Sequence, residues 1–201
     1  LANTFMQVLM DQAGETVNLA ELDHDEVVYL AQVECREMMR SFVRPGSRAP
    51  LHCSAVGKAI LAAMHEVDRD RIVQRKLSSS EENHIFTPKF MKGLKDAQIS
   101  GYALNDGEQS VGMRCVASVI YDENGGPLAA ISISGPTARI TDERIPDLGH
   151  LVKKTCMDIT ENFGGRTPLD INRPLQAVGT KNASSLNNAL QLIAGGTKRN
   201  T

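Results

Sequence analysis

The sequence predicts an α+β fold in which a mainly antiparallel sheet is flanked by helices. Two pairs of strand-like segments are each joined by a short turn, Asp23-His24-Asp25 in the first and Asp122-Glu123-Asn124-Gly125-Gly126 in the second. The segments with helical periodicity lie outside those pairs, which separates helices from strands along the chain. Hydrophobic residues make up 41% of the 201 positions, enough to build one core and too many for a disordered chain.

The spacing predicts a first helix over Leu1 to Gln12 with Leu1, Phe5, Val8 and Leu9 on its apolar face, stopped at Gly14. Thr16 to Glu21 and the β-branched and aromatic run Val27 to Val33 form the first hairpin. Met38 to Val43 reads as a further strand, ended by Pro45-Gly46. Ser54 is suited to cap a helix through Met64, and a second helix covers Asp68 to Lys76. Leu77 to Pro88 is polar and reads as a loop, followed by a helix over Lys89 to Ile99 that Gly101 ends.

Tyr102 to Asn105 is a short strand, and Arg114 to Tyr121 with Leu128 to Ser134 forms the second hairpin. Thr141 is placed to cap the last long helix, whose stripe is Ile145, Leu148, Val152, Ile159 and Phe163, with Gly164-Gly165 as its close. Beyond Gly165 the texture turns to Asn, Ser, Gly and Pro. This predicts one domain over residues 1–165 and an appendage over 166–201 with a short helix at Ser184 to Ile193. The plan is that of GAF- and PAS-like sensor domains, and a plan alone assigns no function.

Charge and composition exclude several classes. The net charge of −2 gives no basic footprint of the kind duplex binding needs. No apolar run is long enough to cross a bilayer. The four cysteines, Cys35, Cys53, Cys115 and Cys156, are scattered, which predicts neither a disulfide framework nor a zinc finger and favours a reducing, cytoplasmic setting. The chain begins at Leu1 with no initiator Met, so it reads as a piece of a longer protein.

Known catalytic patterns are missing. Gly57-Lys58 lacks the upstream glycine of a phosphate loop, and Ala59 stands where a magnesium-binding hydroxyl is required. His24, His52, His65, His84 and His150 do not fall at metal-ligand spacings. His52 adjoins Cys53, but neighbours on a strand point to opposite faces, so the pair is not a base and its nucleophile. We expect no metal, no cofactor and no catalytic residue.

Strand alternation singles out the second hairpin. Ala129, Ile131 and Ile133 share one face, and Ala130, Ser132 and Ser134 share the other. A turn centred near Asn124-Gly125 puts Cys115 across from Ser134 and Ala117 across from Ser132. One face is therefore bulky, and the other is small and weakly polar. Two arrangements satisfy this: a helix packed very closely, or a hollow lined by hydroxyls and a thiol that suits a small polar ligand. The helix start at Ser54, Ala55 and Val56 offers free N–H groups and the positive end of a helix dipole, which favour an anion such as a carboxylate. Taken alone, Ser54 is better accounted for as a simple helix cap.

These residues carry a family likeness. Pro50-Leu51-His52-Cys53-Ser54-Ala55-Val56-Gly57-Lys58-Ala59-Ile60-Leu61-Ala62 resembles a signature segment of IclR-type transcriptional regulators. Gly101-Tyr102-Ala103 through Gly112-Met113-Arg114-Cys115-Val116-Ala117 resembles a second. Ala129-Ala130-Ile131-Ser132-Ile133-Ser134-Gly135-Pro136 with Arg139-Ile140-Thr141 resembles a third. The likeness covers about residues 1–165.

The resemblance implies an effector-binding, GAF-like domain detached from the N-terminal winged helix-turn-helix of such regulators, with DNA reached only through that missing segment. It implies a small carboxylic acid effector, glyoxylate or pyruvate among the 2-oxo acids, and self-association to a homodimer or tetramer. Carried over by position, the ligand residues are Ser54, Ala55, Val56, Asn105, Cys115, Ser132 and Ser134, with Met38 and Met113 as apolar wall. The sequence departs from the pattern at Asn105, where acid-sensing members carry Asp, and at Ala55-Val56, which replaces a Gly-Ala pair. A neutral Asn repels a ligand carboxylate less than Asp does. Two rivals remain: a redox sensor or thiol enzyme built on Cys115, and an oligomerisation module without ligand.

Overall fold

The computed structural model describes residues 2–77 and 87–168. Their order is α1 (Ala2–Ala13), β1 (Thr16–Asp23), β2 (Glu26–Val33), β3 (Arg48–Pro50), α2 (Ala55–Ala63), α3 (Glu66–Leu77), α4 (Pro88–Ser100), β4 (Ala103–Asp106), β5 (Met113–Tyr121), β6 (Pro127–Pro136) and α5 (Ile145–Asn162). The strands form one six-stranded sheet in the order β3-β2-β1-β6-β5-β4, and every neighbouring pair is antiparallel. The α+β expectation holds.

Both faces of the sheet are covered. Val17, Leu19, Val116, Ile120, Ile131 and Ile133 point to the side where α1 and α5 pack. Ile131 and Ile133 are fully buried there, and burying a side chain of that size contributes about 1.5–3 kcal/mol. Ala20, Ala103, Ala117 and Ala130 point to the other side, where Ala55, Val56, Ala59 and Ile60 of α2 and Leu94 and Ala97 of α4 close over them. Alanines let α2 approach the sheet closely.

Several local expectations hold. Gly14 ends α1 at φ +69°, its N–H donating to Met10 O at 2.8 Å. The positive φ of +58° at His24 makes the first hairpin turn. Gly101 ends α4 at φ +82° as expected, while the helix starts one residue earlier than its periodicity predicts, at Pro88, with Thr87 capping it by accepting from Phe90 N. Asp122 Oδ1 accepts from Asn124 N and Gly126 N, both at 2.8 Å, and so closes the second hairpin.

Three local expectations are corrected. Residues 34–47 form no strand: Met38 is 97% exposed, Met39 71% and Phe42 61%. The edge of β2 is taken instead by Arg48–Pro50, too short for its own periodicity and ending in the proline an edge strand tolerates. The buried face of α1 is Ala2, Met6, Leu9, Met10 and Ala13, while Val8 is 52% exposed. Two stripes in that helix satisfy a 3.6-residue period, and the methionine stripe is the one that packs.

Thr141 does not cap α5. Its carbonyl accepts from Arg144 N and Ile145 N, making a turn ahead of a helix that begins at Ile145 with Arg144 as the cap residue. Pro146 sits at the second helical position, where its missing N–H costs no helical bond. Residues 78–86 of the expected loop and the helix at Ser184 to Ile193 lie outside the described residues. Among the described residues no helix is long and apolar enough to cross a membrane.

Candidate ligand site

The β5–β6 register pairs Cys115 with Ser134 and Ala117 with Ser132, as the turn position predicts. The small-residue face divides in two. Its alanine end, Ala117 and Ala130, is closed by α2. Its serine end holds a polar cluster: Ser132 and Ser134 are 3% and 2% exposed, and their hydroxyl oxygens lie 3.4 Å apart. Close apolar packing and a buried polar cluster therefore occur at opposite ends of one face.

Asn18 of β1 completes the cluster. It is 1% exposed and pairs with Ser132 across the β1–β6 ladder. Asn18 Nδ2 donates to Ser134 Oγ at 3.2 Å and to Ser132 Oγ at 3.4 Å, while Asn18 Oδ1 accepts from Gln32 Nε2 at 2.8 Å. Neither Asn18 nor Gln32 stands out in the sequence, because a polar residue between Val17 and Leu19 reads as the solvent side of a half-buried strand.

Opposite the sheet, Ser54 is the N-cap of α2 and is 1% exposed. Its Oγ accepts from Gly57 N at 3.1 Å and its carbonyl from Lys58 N at 3.0 Å. Ala55 and Val56, 3% and 1% exposed, hold first-turn N–H groups with no acceptor among the described residues. Gly57 is required here: a Cβ would come within 2.3 Å of Leu51 O. The turn before α2 thus packs directly on the helix.

Asn105 pairs with Cys115 in the β4–β5 ladder and is 2% exposed. Its Nδ2 donates to the carbonyl of Cys53, and its Oδ1 accepts from Glu108 N at 3.1 Å. One side chain therefore ties the segment ahead of α2 to the loop after β4. Asp106 beside it turns outward to Arg114, whose guanidinium holds the Asp106 carboxyl below the usual carboxylate range.

Burial pushes the Cys115 thiol above its ordinary pKa, opposed by its hydrogen bond with Ser134 and by the nearby Lys58 ammonium. Lys58, which belongs to no phosphate loop, has a side chain only 8% exposed that ion-pairs with Glu108. Its position four residues after Ser54, on the same helix face, is the signal that could have found it. It supplies a buried positive charge near the thiol. Tyr29 is also buried in this neighbourhood, and desolvation raises its pKa.

The remaining expected residues fall elsewhere. Met113, partly buried, opens β5 opposite Pro136. Met38 is 97% exposed on the surface, away from the buried serine pair, and so does not take the apolar wall position expected of it. A cavity of about 820 Å³ is lined by Lys58 of α2, Phe90 of α4, Tyr102, Asp106 of β4 and Glu108 among others, and the serine pair does not line it. Behind Ser134, Glu15 is 1% exposed and ion-pairs with Arg139 through two hydrogen bonds of 2.6 and 2.8 Å. Gly135 passes so close that a Cβ would meet Glu15 Oε2 at 2.4 Å. Among the described residues no group of His, Cys, Asp and Glu is arranged to hold a metal ion.

Residues 1–161 match the family model for the bacterial transcriptional regulator IclR C-terminal domain. The chain is 38% identical over 169 residues to the acetate operon repressor of Salmonella typhimurium and 40% identical over 166 residues to the HTH-type transcriptional repressor AllR of Escherichia coli K12. Each alignment covers 82% of this chain, and it spans 62% and 61% of those relatives' lengths. Among solved structures, the Thermotoga maritima IclR superimposes with a TM-score of 0.73 at 31% identity, covering 81% of this chain and 67% of that one.

Proposed function

We propose that this chain, which belongs to the IclR family of bacterial transcriptional regulators as their C-terminal domain, is an effector-binding domain for a small carboxylic acid, with 2-oxo acids such as glyoxylate and pyruvate favoured. The observation that carries this is the buried, hydrogen-bonded Ser132–Ser134 pair, polar on a face that is otherwise packed by alanines and helices. Two hydroxyls, the Cys115 thiol and the first-turn N–H groups of Ala55 and Val56 are all donors, and a carboxylate offers only acceptors. The Lys58 ammonium and the positive end of α2 add attraction for a negative charge. Asn105, neutral where acid-sensing relatives of the expected pattern carry Asp, removes a repulsion.

The parent protein is a regulator, and its repressor relatives favour repression as its mode. The unit is residues 1–165, self-associating as a dimer or tetramer in the cytoplasm, with DNA contacted by a winged helix-turn-helix outside this chain. Binding alters DNA affinity only to the extent that the acid prefers one arrangement of the subunits. The raised Cys115 pKa favours a ligand-contact role over thiol chemistry, because the thiolate is the reactive species. The test is calorimetric titration with glyoxylate, pyruvate and an aromatic acid, beside the neutral amide of pyruvate. Binding of an oxo acid but not of the amide supports the reading, and binding of no carboxylate overturns it.

A further inference from the structure

The cavity of about 820 Å³ draws its walls from both layers of the fold. Lys58 of α2 and Phe90 of α4 come from one layer, while Tyr102 and Leu104 pack with the layer of α1 and α5. β4 is the last strand in sheet order, so the cavity lies at an edge of the sheet. Tyr102 is held there from α5. A Cβ at Gly149 would come within 2.5 Å of its ring, and His150 meets it edge-on with ring centroids 6.1 Å apart.

The charge of the lining favours an anion. Among the described residues its three carboxylates each have a cation: Asp96 pairs with Lys92, Asp106 with Arg114, and Glu108 with Lys58. Lys89 also lines the cavity and forms no ion pair among the described residues. Arg114 first, and then the Lys89 and Lys58 ammoniums, hold the Asp106 carboxyl below its ordinary range, so both lysines act on the same space. Lys58 is the buried member of its pair and Glu108 is not, with side-chain exposures of 8% and 42%. Glu108 can turn to water and yield its place to a ligand carboxylate, one anion replacing another on the same ammonium.

We propose that this cavity is a binding site for an aromatic carboxylate of one or two rings, with Lys58 as its counter-ion and Phe90, Tyr102 and Leu104 around its apolar body. Its volume falls in the range of about 300–1,000 Å³ typical of pockets for small organic molecules, and exceeds what a two- or three-carbon acid fills. The serine pair does not line it, so this site is separate from the one proposed for the oxo acid and does not depend on it.

Calorimetric titration of 2-naphthoate into the full chain tests this, beside the neutral 2-naphthamide. Wild type is expected to bind naphthoate, and to bind the amide at least about tenfold more weakly for want of a charge-assisted hydrogen bond. Lys58→Met keeps the aliphatic stem, loses the charge, and is expected to bind naphthoate at least about tenfold more weakly. Phe90→Ala is expected to weaken it about threefold to tenfold. Glu108→Gln removes the competing carboxylate and is expected to tighten it at least about threefold. The Ser132→Ala, Ser134→Ala double variant is expected to stay within about twofold of wild type. Should Lys58→Met fail to fold, Phe90→Ala and the exposed Glu108→Gln carry the test. No naphthoate binding by wild type, equal binding of acid and amide, or unchanged affinity in Phe90→Ala, Glu108→Gln or a folded Lys58→Met overturns the site. Loss of naphthoate binding in the serine double variant also overturns it, by putting the acid at the serine pair. Binding of glyoxylate, or its absence, bears on the serine pair alone.

Discussion

Ser134 stands directly across the β5–β6 ladder from Cys115, and its hydroxyl opposes part of the upward push that burial exerts on the thiol's pKa. Both side chains face the start of α2, so the thiol is a packed donor beside the proposed ligand position. Burial raises the Cys115 pKa, which lowers the thiolate fraction at neutral pH.

Alkylation of Cys115 by iodoacetamide is therefore expected to be at least about tenfold slower in the folded chain at pH 7.5 than in the unfolded chain, and to accelerate as pH rises beyond the ordinary thiol range. Peptide mass spectrometry after timed labelling measures this. Rapid labelling of Cys115 at pH 7 would instead favour a redox or thiol-enzyme role.

Asn105 is the hinge between Cys53 and Glu108, donating to one and accepting from the other. Asn105→Asp keeps the acceptor and loses the donor, leaving two oxygens facing each other in a buried place. The expected cost is about 1–3 kcal/mol at pH 7, read by urea denaturation. The folded carboxyl is then harder to ionise than the unfolded one, so the penalty builds as pH rises through the unfolded value of about 4 and eases below it, where a protonated carboxyl donates again. Unchanged stability at pH 7 contradicts the bridging role.

Arg139 neutralises Glu15 beneath Gly135. Arg139→Leu strands a buried carboxylate and should cost about 3–5 kcal/mol in thermal or urea unfolding, while Glu15→Leu with Arg139→Leu recovers most of it. A single variant as stable as wild type would show that the pair does not support the strand carrying Ser134.

The second hairpin was legible because its turn chemistry at Asp122 to Gly126 fixes the register, and the register fixes which residues face each other. The cap at Ser54 was legible for the same local reason. Asn18, Gln32 and Lys58 were not. Helices cover both faces of the sheet, so alternation along β1 separates two buried layers rather than core from water, and Asn18 gives no sign of which it joins. Met38 to Val43 has strand composition but finds no free edge, since β3 occupies it. That is a fact of tertiary pairing, absent from local pattern.

The most direct test of the carboxylate site is calorimetric titration of glyoxylate and pyruvate into wild type and into the Ser132→Ala, Ser134→Ala double variant. The account predicts at least about tenfold weaker binding of the acid in the double variant, from the loss of two donors to a charged group, with the fold intact by circular dichroism. Equal affinity in the two proteins would contradict it.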